Sequence, residues 1–473
     1  MKFIVTLLPV LVTVLMAPVA QGAVTVTTLY SFSGPDGANP VGGLVQGADG
    51  NFYGVTSESE FTNQYGKVFR IAPDGTFTNL YSLNGASDGA WPQLGLVRGS
   101  DGNFYGTTAY RGANFKGTIF KITPSGDFST LVALDSLSGS PGSLLVPATD
   151  GNLYSVGNFG FGTGLGSAFS VSTDGTVSVL GSFAGTNGFT GWSFSQDVLL
   201  QGADGNFYGA THFGGPEFAG EFVNTAYGTL FEMTPDGTLI TLFSFNGTNG
   251  AYPTALTQGH DGNLYGTTGS GGPAFIDNPE WGGQGGYGTA FKLDTNGAFT
   301  TLAVFNGTNG SDPNSLIQAS DGNFYGTTDT GGGPNVGGGT IFKLTAEGTL
   351  TSLLSFNGTN GLRPRYSTLA QAADGNFYGT TLVGGVSNHG TIFMLSLTPS
   401  PPVIQTVARA GSTLTLTWSA DAGHTYRVQS LTDLTRTNWS SSGGAIAATN
   451  SIATASDSIG ADRQRFYRVV LLP

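Results

Sequence analysis

The sequence predicts an all-β chain: a seven-bladed β-propeller closed by its N-terminal strand, followed by a small C-terminal β-sandwich. Three observations carry this. The tripeptide Asp-Gly-Asn begins at Asp49, Asp101, Asp150, Asp204, Asp261, Asp321 and Asp374, at spacings of 52, 49, 54, 57, 60 and 53 residues. Each copy continues into two further blocks, typified by Phe104-Tyr105-Gly106-Thr107-Thr108 and Gly117-Thr118-Ile119-Phe120-Lys121-Ile122. No segment after the N-terminus shows helical periodicity, and only 10% of residues are charged, which excludes coiled coils and long solvated helices.

Each repeat reads as four strands. A short strand a precedes the Asp-Gly turn, as at Leu256-Thr257-Gln258. Strand b is the Phe-Tyr-Gly-Thr-Thr block, strand c carries Ile-Phe-Lys, and strand d resembles Leu239-Ile240-Thr241-Leu242-Phe243-Ser244. Asp-Gly between β-rich runs is a hairpin signal, because a primed turn needs the positive φ that these residues tolerate. This accounts for 77 Gly in 473 residues, against a usual level of roughly 7%. Four strands in about 50 residues fit a propeller blade, whereas a β-solenoid repeats every ~20–30 residues.

The ends of the array predict closure. Val24 to Phe32 is a lone strand d, and Thr391 to Leu395 is a strand c with no d after it. Each half-repeat completes the other, which removes an open edge.

The N-terminus, residues 1–22, reads as a secretory signal. Lys2 precedes an apolar run from Phe3 to Val19, and Ala20-Gln21-Gly22 is a small-x-small cleavage pattern. Loss of Lys2 leaves 16 basic and 30 acidic residues, a mature charge of −14. Nucleic acid is therefore excluded as a partner, and no membrane span is expected after cleavage. The expected location is secreted or cell-surface. With no Cys, disulfides and thiolate metal sites are ruled out.

Residues 24–397 form the expected propeller and 398–402 a Pro-rich linker. Residues 403–473 form the sandwich, similar to a fibronectin type III module, with Trp418, Tyr426, Trp439 and Tyr467 as its expected core.

The string Asp101-Gly-Asn-Phe-Tyr-Gly-Thr-Thr108, with Gly339-Thr-Ile-Phe-Lys-Leu-Thr345 and Leu353-Leu-Ser-Phe-Asn-Gly-Thr-Asn-Gly361, resembles the GloVer (Gloeo_Verruco) tandem repeat. The resemblance covers residues 24–397. It implies an exported propeller of a family whose C-termini carry varied surface anchors, and it brings no catalytic residues. Unlike the anchored members, this chain has no terminal apolar span followed by basic residues.

The sequence offers little chemistry. His212, His260, His389 and His424 have no metal-ligand spacing. No nucleophile elbow or phosphate-binding loop is present. No cofactor, metal or catalytic residue is assigned. What recurs in every copy is explained by the blade, so a site belongs at positions that differ between copies. The longest b–c loops, 212–227 and 269–287, carry Glu217, Glu221, Asp277, Glu280 and Trp281. Trp91 and Trp192 are also placed in rim loops. A second variable set lies at or near the Pro entering strand a: Asn39, Trp91, Ser140, Tyr252, Asp312 and Arg363. These are expected to ring the mouth of a central channel. Exposed Trp beside carboxylates suits a sugar ring or a protein surface. The expected function is non-enzymatic binding of a glycan or protein partner through this rim. The alternative is a polysaccharide hydrolase or lyase, which would set Glu217 or Glu221 against Asp277 or Glu280.

Overall fold

The computed structural model describes residues 24–58, 65–92, 94–134, 140–141, 143–158, 165–190, 198–216, 226–276, 285–333, 337–365, 367–397, 402–420, 424–433, 435, 438–449, 452–458 and 465–472. The signal segment and most of the linker lie outside them, as do Trp192, Glu217, Glu221, Asp277, Glu280 and Trp281. The chain divides into two bodies. Val26–Ala319 and Asn323–Ser396 belong to the larger, and Leu397–Pro473 to the smaller.

Among the described residues, the larger body contains seven antiparallel sheets of four or five strands. The first comprises Ala38–Gln46, Phe52–Glu58, Lys67–Ile71 and Phe77–Ser82, in that spatial order. The last takes Ala370–Gln371, Phe377–Thr381 and Thr391–Leu397 from the end of the array and Val24–Ser31 from its start. The N-terminal strand pairs with Thr391–Leu397, as the two half-repeats require.

The repeated motif explains itself locally. The Asp49 carboxylate accepts hydrogen bonds from the Asn51 amide (3.2 Å), Asn51 Nδ2 (2.7 Å) and the Tyr53 hydroxyl (2.8 Å). Asp101, Asp150, Asp261 and Asp374 repeat this box. Desolvation opposes ionisation of Asp49, but these donors outweigh it and lower its pKa. Burial, together with the same contact, pushes Tyr53 up to about 12.

Strand c is buried on both faces: Ile119, Phe120 and Ile122 are all inaccessible. Adjacent sheets therefore stack face to face. Tyr53 stacks on Phe104 of the next repeat with centroids 4.0 Å apart, and Tyr265 meets Phe324 at 4.2 Å. Tyr378 of the seventh repeat stacks on Phe52 of the first, also at 4.0 Å.

The smaller body holds two sheets among the described residues. One is Ile404–Ala410, Thr413–Ser419 and Ile452–Ser458; the other centres on Thr425–Leu431 and Phe466–Leu471. Alternation along Thr413–Ser419 turns Leu414, Leu416 and Trp418 inward, where they meet Tyr426, Val428 and part of Tyr467. Trp439 departs from expectation. It is half-buried outside this core, with the Arg468 guanidinium 4.5 Å from its ring.

A candidate ligand site at the channel mouth

Residues from all seven repeats line a cavity of about 210 Å³. Its wall takes Gly42 from the first repeat, Gly95 from the second, Leu144 from the third and Leu199 from the fourth. Leu256, Asn314 and Thr368 come from the fifth, sixth and seventh.

The variable residues before proline acquire a shared geometry. Asn39, Trp91, Tyr252, Asp312 and Arg363 have φ of +55°, +59°, +60°, +56° and +53°. A non-glycine residue in the left-handed region costs about 1–2 kcal/mol, and the proline that follows normally favours extended backbone. The strain is held by one contact repeated around the array. Each amide donates to a carbonyl of the preceding repeat's b–c loop: Asn39 to His389 (3.0 Å), Trp91 to Tyr65 (2.8 Å), Tyr252 to Tyr227 (2.9 Å), Asp312 to Tyr287 (3.2 Å) and Arg363 to Gly338 (2.7 Å). Backbone strain that recurs while the side chain changes marks positions whose chemistry is free to vary.

Trp91 is a correction to the loop assignment. It lies in a short strand, Ala90–Pro92, and its ring meets Tyr110 edge-on at 5.2 Å.

In the fifth to seventh repeats these side chains reach back onto the residue following strand b's Gly-x-Thr in the preceding repeat. Tyr252 stacks on His212 with centroids 5.0 Å apart. Arg363 grips Asp329 through Nε–Oδ1 at 3.2 Å and Nη2–Oδ2 at 2.8 Å. Asp312 meets Gly269, where a Cβ would come within 2.7 Å of its Oδ1. Glycine thus leaves the space that the Asp312 carboxyl occupies.

The electrostatics differ from group to group. Asp329 is only 3% exposed, and Arg363 balances its charge. The Asp312 carboxyl makes no hydrogen bond among the described residues. Burial pushes its pKa up to about 6, the Asp329 charge adds to this, and Arg365 and Arg363 oppose it. Burial pushes His212 down to about 4, partly offset by its hydrogen bond to the Pro253 backbone, so its imidazole is neutral at pH 7. Arg365 lies within electrostatic reach of both His212 and Asp312. The fourth to seventh repeats thus bring together an aromatic face, a carboxyl free to bond and two guanidinium groups.

Of the sequence-nominated residues, the structure brings Tyr252, Asp312 and Arg363 into one sector; Trp91 belongs to the second repeat. His212, Asp329 and Arg365 were not nominated as site residues. Their signal was present: the position after Gly-x-Thr reads Ser57, Ala109, His212, Gly269, Asp329 and Leu382 in six repeats, and the position after proline varies likewise. Among the described residues, no cluster of three or more His, Asp or Glu is arranged for a metal.

Asp312 yields a pH prediction. A carboxyl whose folded pKa is raised favours the folded state below its unfolded pKa, and that advantage disappears as pH rises through about 6. Wild type is expected to lose about 1–2 kcal/mol relative to Asp312→Asn between pH ~4 and ~7.5, after discounting for partial exposure. Urea unfolding of both proteins at the two pH values checks this. A constant difference would contradict it.

Comparison with known proteins bears on the family and the fold. A family model described as the Gloeobacter/Verrucomicrobia repeat matches residues 16–193 and 279–437. No curated protein matches. Among solved structures, a catalytically inactive virginiamycin B lyase from Staphylococcus aureus with quinupristin is similar at TM-score 0.52 and 14% identity, covering 80% of this chain and all of that one. An ulvan lyase of a polysaccharide lyase family, bound to GlcA(1-4)Rha3S, is similar at TM-score 0.48 and 9% identity, covering 76% of this chain and 94% of that one. The first likeness shows a β-propeller fold.

Proposed function

The chain belongs to the Gloeobacter/Verrucomicrobia repeat family, and we propose that it is an exported, seven-bladed ring that binds a glycan at the mouth of its central cavity. The smaller body, in this reading, is a fibronectin-like sandwich that spaces or docks the ring. The observation that carries the proposal is the Asp312 carboxyl, held without a hydrogen-bond partner among the described residues in the sector of the Tyr252–His212 stack. A sugar presents hydroxyls at its edge and C–H groups on its face. A carboxylate and guanidinium groups serve the edge, and an aromatic ring serves the face.

Binding is favoured over hydrolysis at this mouth. Hydrolysis needs two available carboxyls. Asp329 is buried beneath Arg363, which leaves Asp312 as the available carboxyl of this sector among the described residues. The other nominated carboxylates lie outside the described residues.

A protein partner is the second reading. Phe115, Ile276 and Val386 are 76%, 69% and 93% exposed, all on b–c loops. Apolar groups standing in solvent on one rim suit a protein surface.

The test is an oligosaccharide array probed with residues 23–473, with Asp312→Asn and Tyr252→Ala alongside. Glycan binding at the mouth predicts that the bound glycan is lost at least ten-fold in both variants. Binding unchanged in both would move the site elsewhere. No binding to any glycan, with capture of an envelope protein lost on Phe115→Ser, would favour the second reading.

A further inference from the structure

The core of the smaller body turns polar at one end. On Thr425–Leu431, Tyr426, Val428 and Ser430 share the inward face, and Ser430 stands opposite Tyr467. On Ile452–Ser458, Asp457 stands opposite Leu414, which is 1% exposed, so Asp457 also belongs to the inward face. These are positions that a sandwich normally gives to apolar side chains. The apolar row therefore ends in a serine on one sheet and an aspartate on the other. The Tyr467 hydroxyl donates to Asp457 Oδ2 at 2.7 Å, which sets both polar ends at the same place.

An open cleft of about 870 Å³ lies there, and Leu431 is the one apolar side chain among its described lining. Ser430, Thr432, Ser440 and Ser442 bring hydroxyls to it, and Asn438 brings an amide. Ser442 Oγ donates to Ser430 Oγ at 2.7 Å. Arg465 Nη1 donates to Asp457 Oδ2 at 2.8 Å and to the Ser458 carbonyl at 3.0 Å. Both side chains of this ion pair line the cleft, and each is only 18% exposed. Asp457 Oδ2 thus takes two bonds, while Oδ1 accepts none among the described residues.

This lining restricts the ligand. The charges of Asp457 and Arg465 offset one another, so an anion meets the carboxylate and a cation meets the guanidinium. An apolar ligand would strip water from a row of hydroxyls and return no hydrogen bonds. The volume falls within the roughly 300–1,000 Å³ of small-molecule sites. A neutral molecule carrying many hydroxyls supplies donors and acceptors together, as the lining does. Asp457 Oδ1 offers it one charge-assisted acceptor.

We propose that the smaller body carries a glycan site of its own in this cleft, which takes neutral oligosaccharides through their hydroxyls. The inference does not rest on the mouth of the ring, and it gives the smaller body a role beyond spacing.

The test uses residues 23–473 with the mouth disabled by Tyr252→Ala and Asp312→Asn together. The probe is an array of neutral gluco-, manno-, galacto- and xylo-oligosaccharides, with uronate oligosaccharides beside them. The mouth-disabled protein is expected to retain at least one neutral oligosaccharide and no uronate. Adding Ser430→Val with Ser442→Val is expected to weaken that binding at least ten-fold. This pair replaces both partners of one hydrogen bond, so it leaves neither unsatisfied. Asn438 is exposed, so Asn438→Ala guards against misfolding and is expected to weaken binding at least three-fold. Retained binding that neither change affects would overturn the cleft assignment, and retention of uronates by themselves would overturn the neutral ligand. Complete loss of binding on disabling the mouth would also overturn the cleft while preserving the mouth reading. Equal binding with and without the mouth changes, lost on Ser430→Val with Ser442→Val, would uphold the cleft and remove the mouth reading.

Discussion

Removal of Val24–Ser31 is expected to abolish cooperative folding of the larger body. This strand is the outer strand of the seventh sheet, paired with Thr391–Leu397. Without it, Thr391–Leu397 becomes an open edge ready to pair with another chain. The loss extends beyond hydrogen bonds. Tyr30 stacks on Phe77 of the first repeat at 4.2 Å, so the strand also joins the two ends of the array. Next to it, Phe32 is fully buried and its amide donates to Gly390 at 3.1 Å. Phe32 meets Phe69 and Phe77 edge-on, each at 5.6 Å. Phe32→Ala by itself is expected to cost about 3–5 kcal/mol. The truncated chain should aggregate or melt without a sharp transition in calorimetry. A melting curve matching that of residues 24–473 would contradict the closure.

Gly42→Ala should be nearly as damaging, for a different reason. Gly42 has φ of +73° and faces the second repeat across the cavity wall. A Cβ there would lie 1.7 Å from the Gly95 nitrogen and 2.1 Å from its Cα. These are backbone atoms of the neighbouring inner segment, so no side chain can move aside. Forcing them apart adds to the left-handed penalty, and the total is expected to exceed about 3 kcal/mol. Gly50→Ala is the control. It has φ of +80° in the Asp-Gly-Asn turn with nothing within 4 Å, and should cost only about 1 kcal/mol. Urea midpoints of the two variants measure the gap. Equal losses would mean that the inner segments are not in close contact.

These two glycines show what the sequence could and could not reveal. Asp-Gly-Asn was legible because every repeat solves the same turn with the same residues, and the Asp49–Asn51–Tyr53 box follows from them. The terminal pairing was legible because half a repeat stands at each end. The close approach of Gly42 to Gly95 was not, since it depends on how neighbouring repeats pack.

The site divides in the same way. Tyr252, Asp312 and Arg363 stood out because the residue before proline changes from copy to copy. Their partners His212, Gly269 and Asp329 also vary between copies, but the sequence does not pair them with the residues before proline. The contacts join one repeat to the next, across a left-handed backbone that no periodicity announces.

The proposed glycan site requires these variable inner positions to act together. Hydrogen–deuterium exchange of residues 23–473, with and without the glycan the array returns, tests it most directly. Slowed exchange is expected at 251–254, 311–315 and 362–365 together, with the Asp-Gly-Asn turns unchanged. Protection confined to those turns, or to 425–442 of the smaller body, would contradict it.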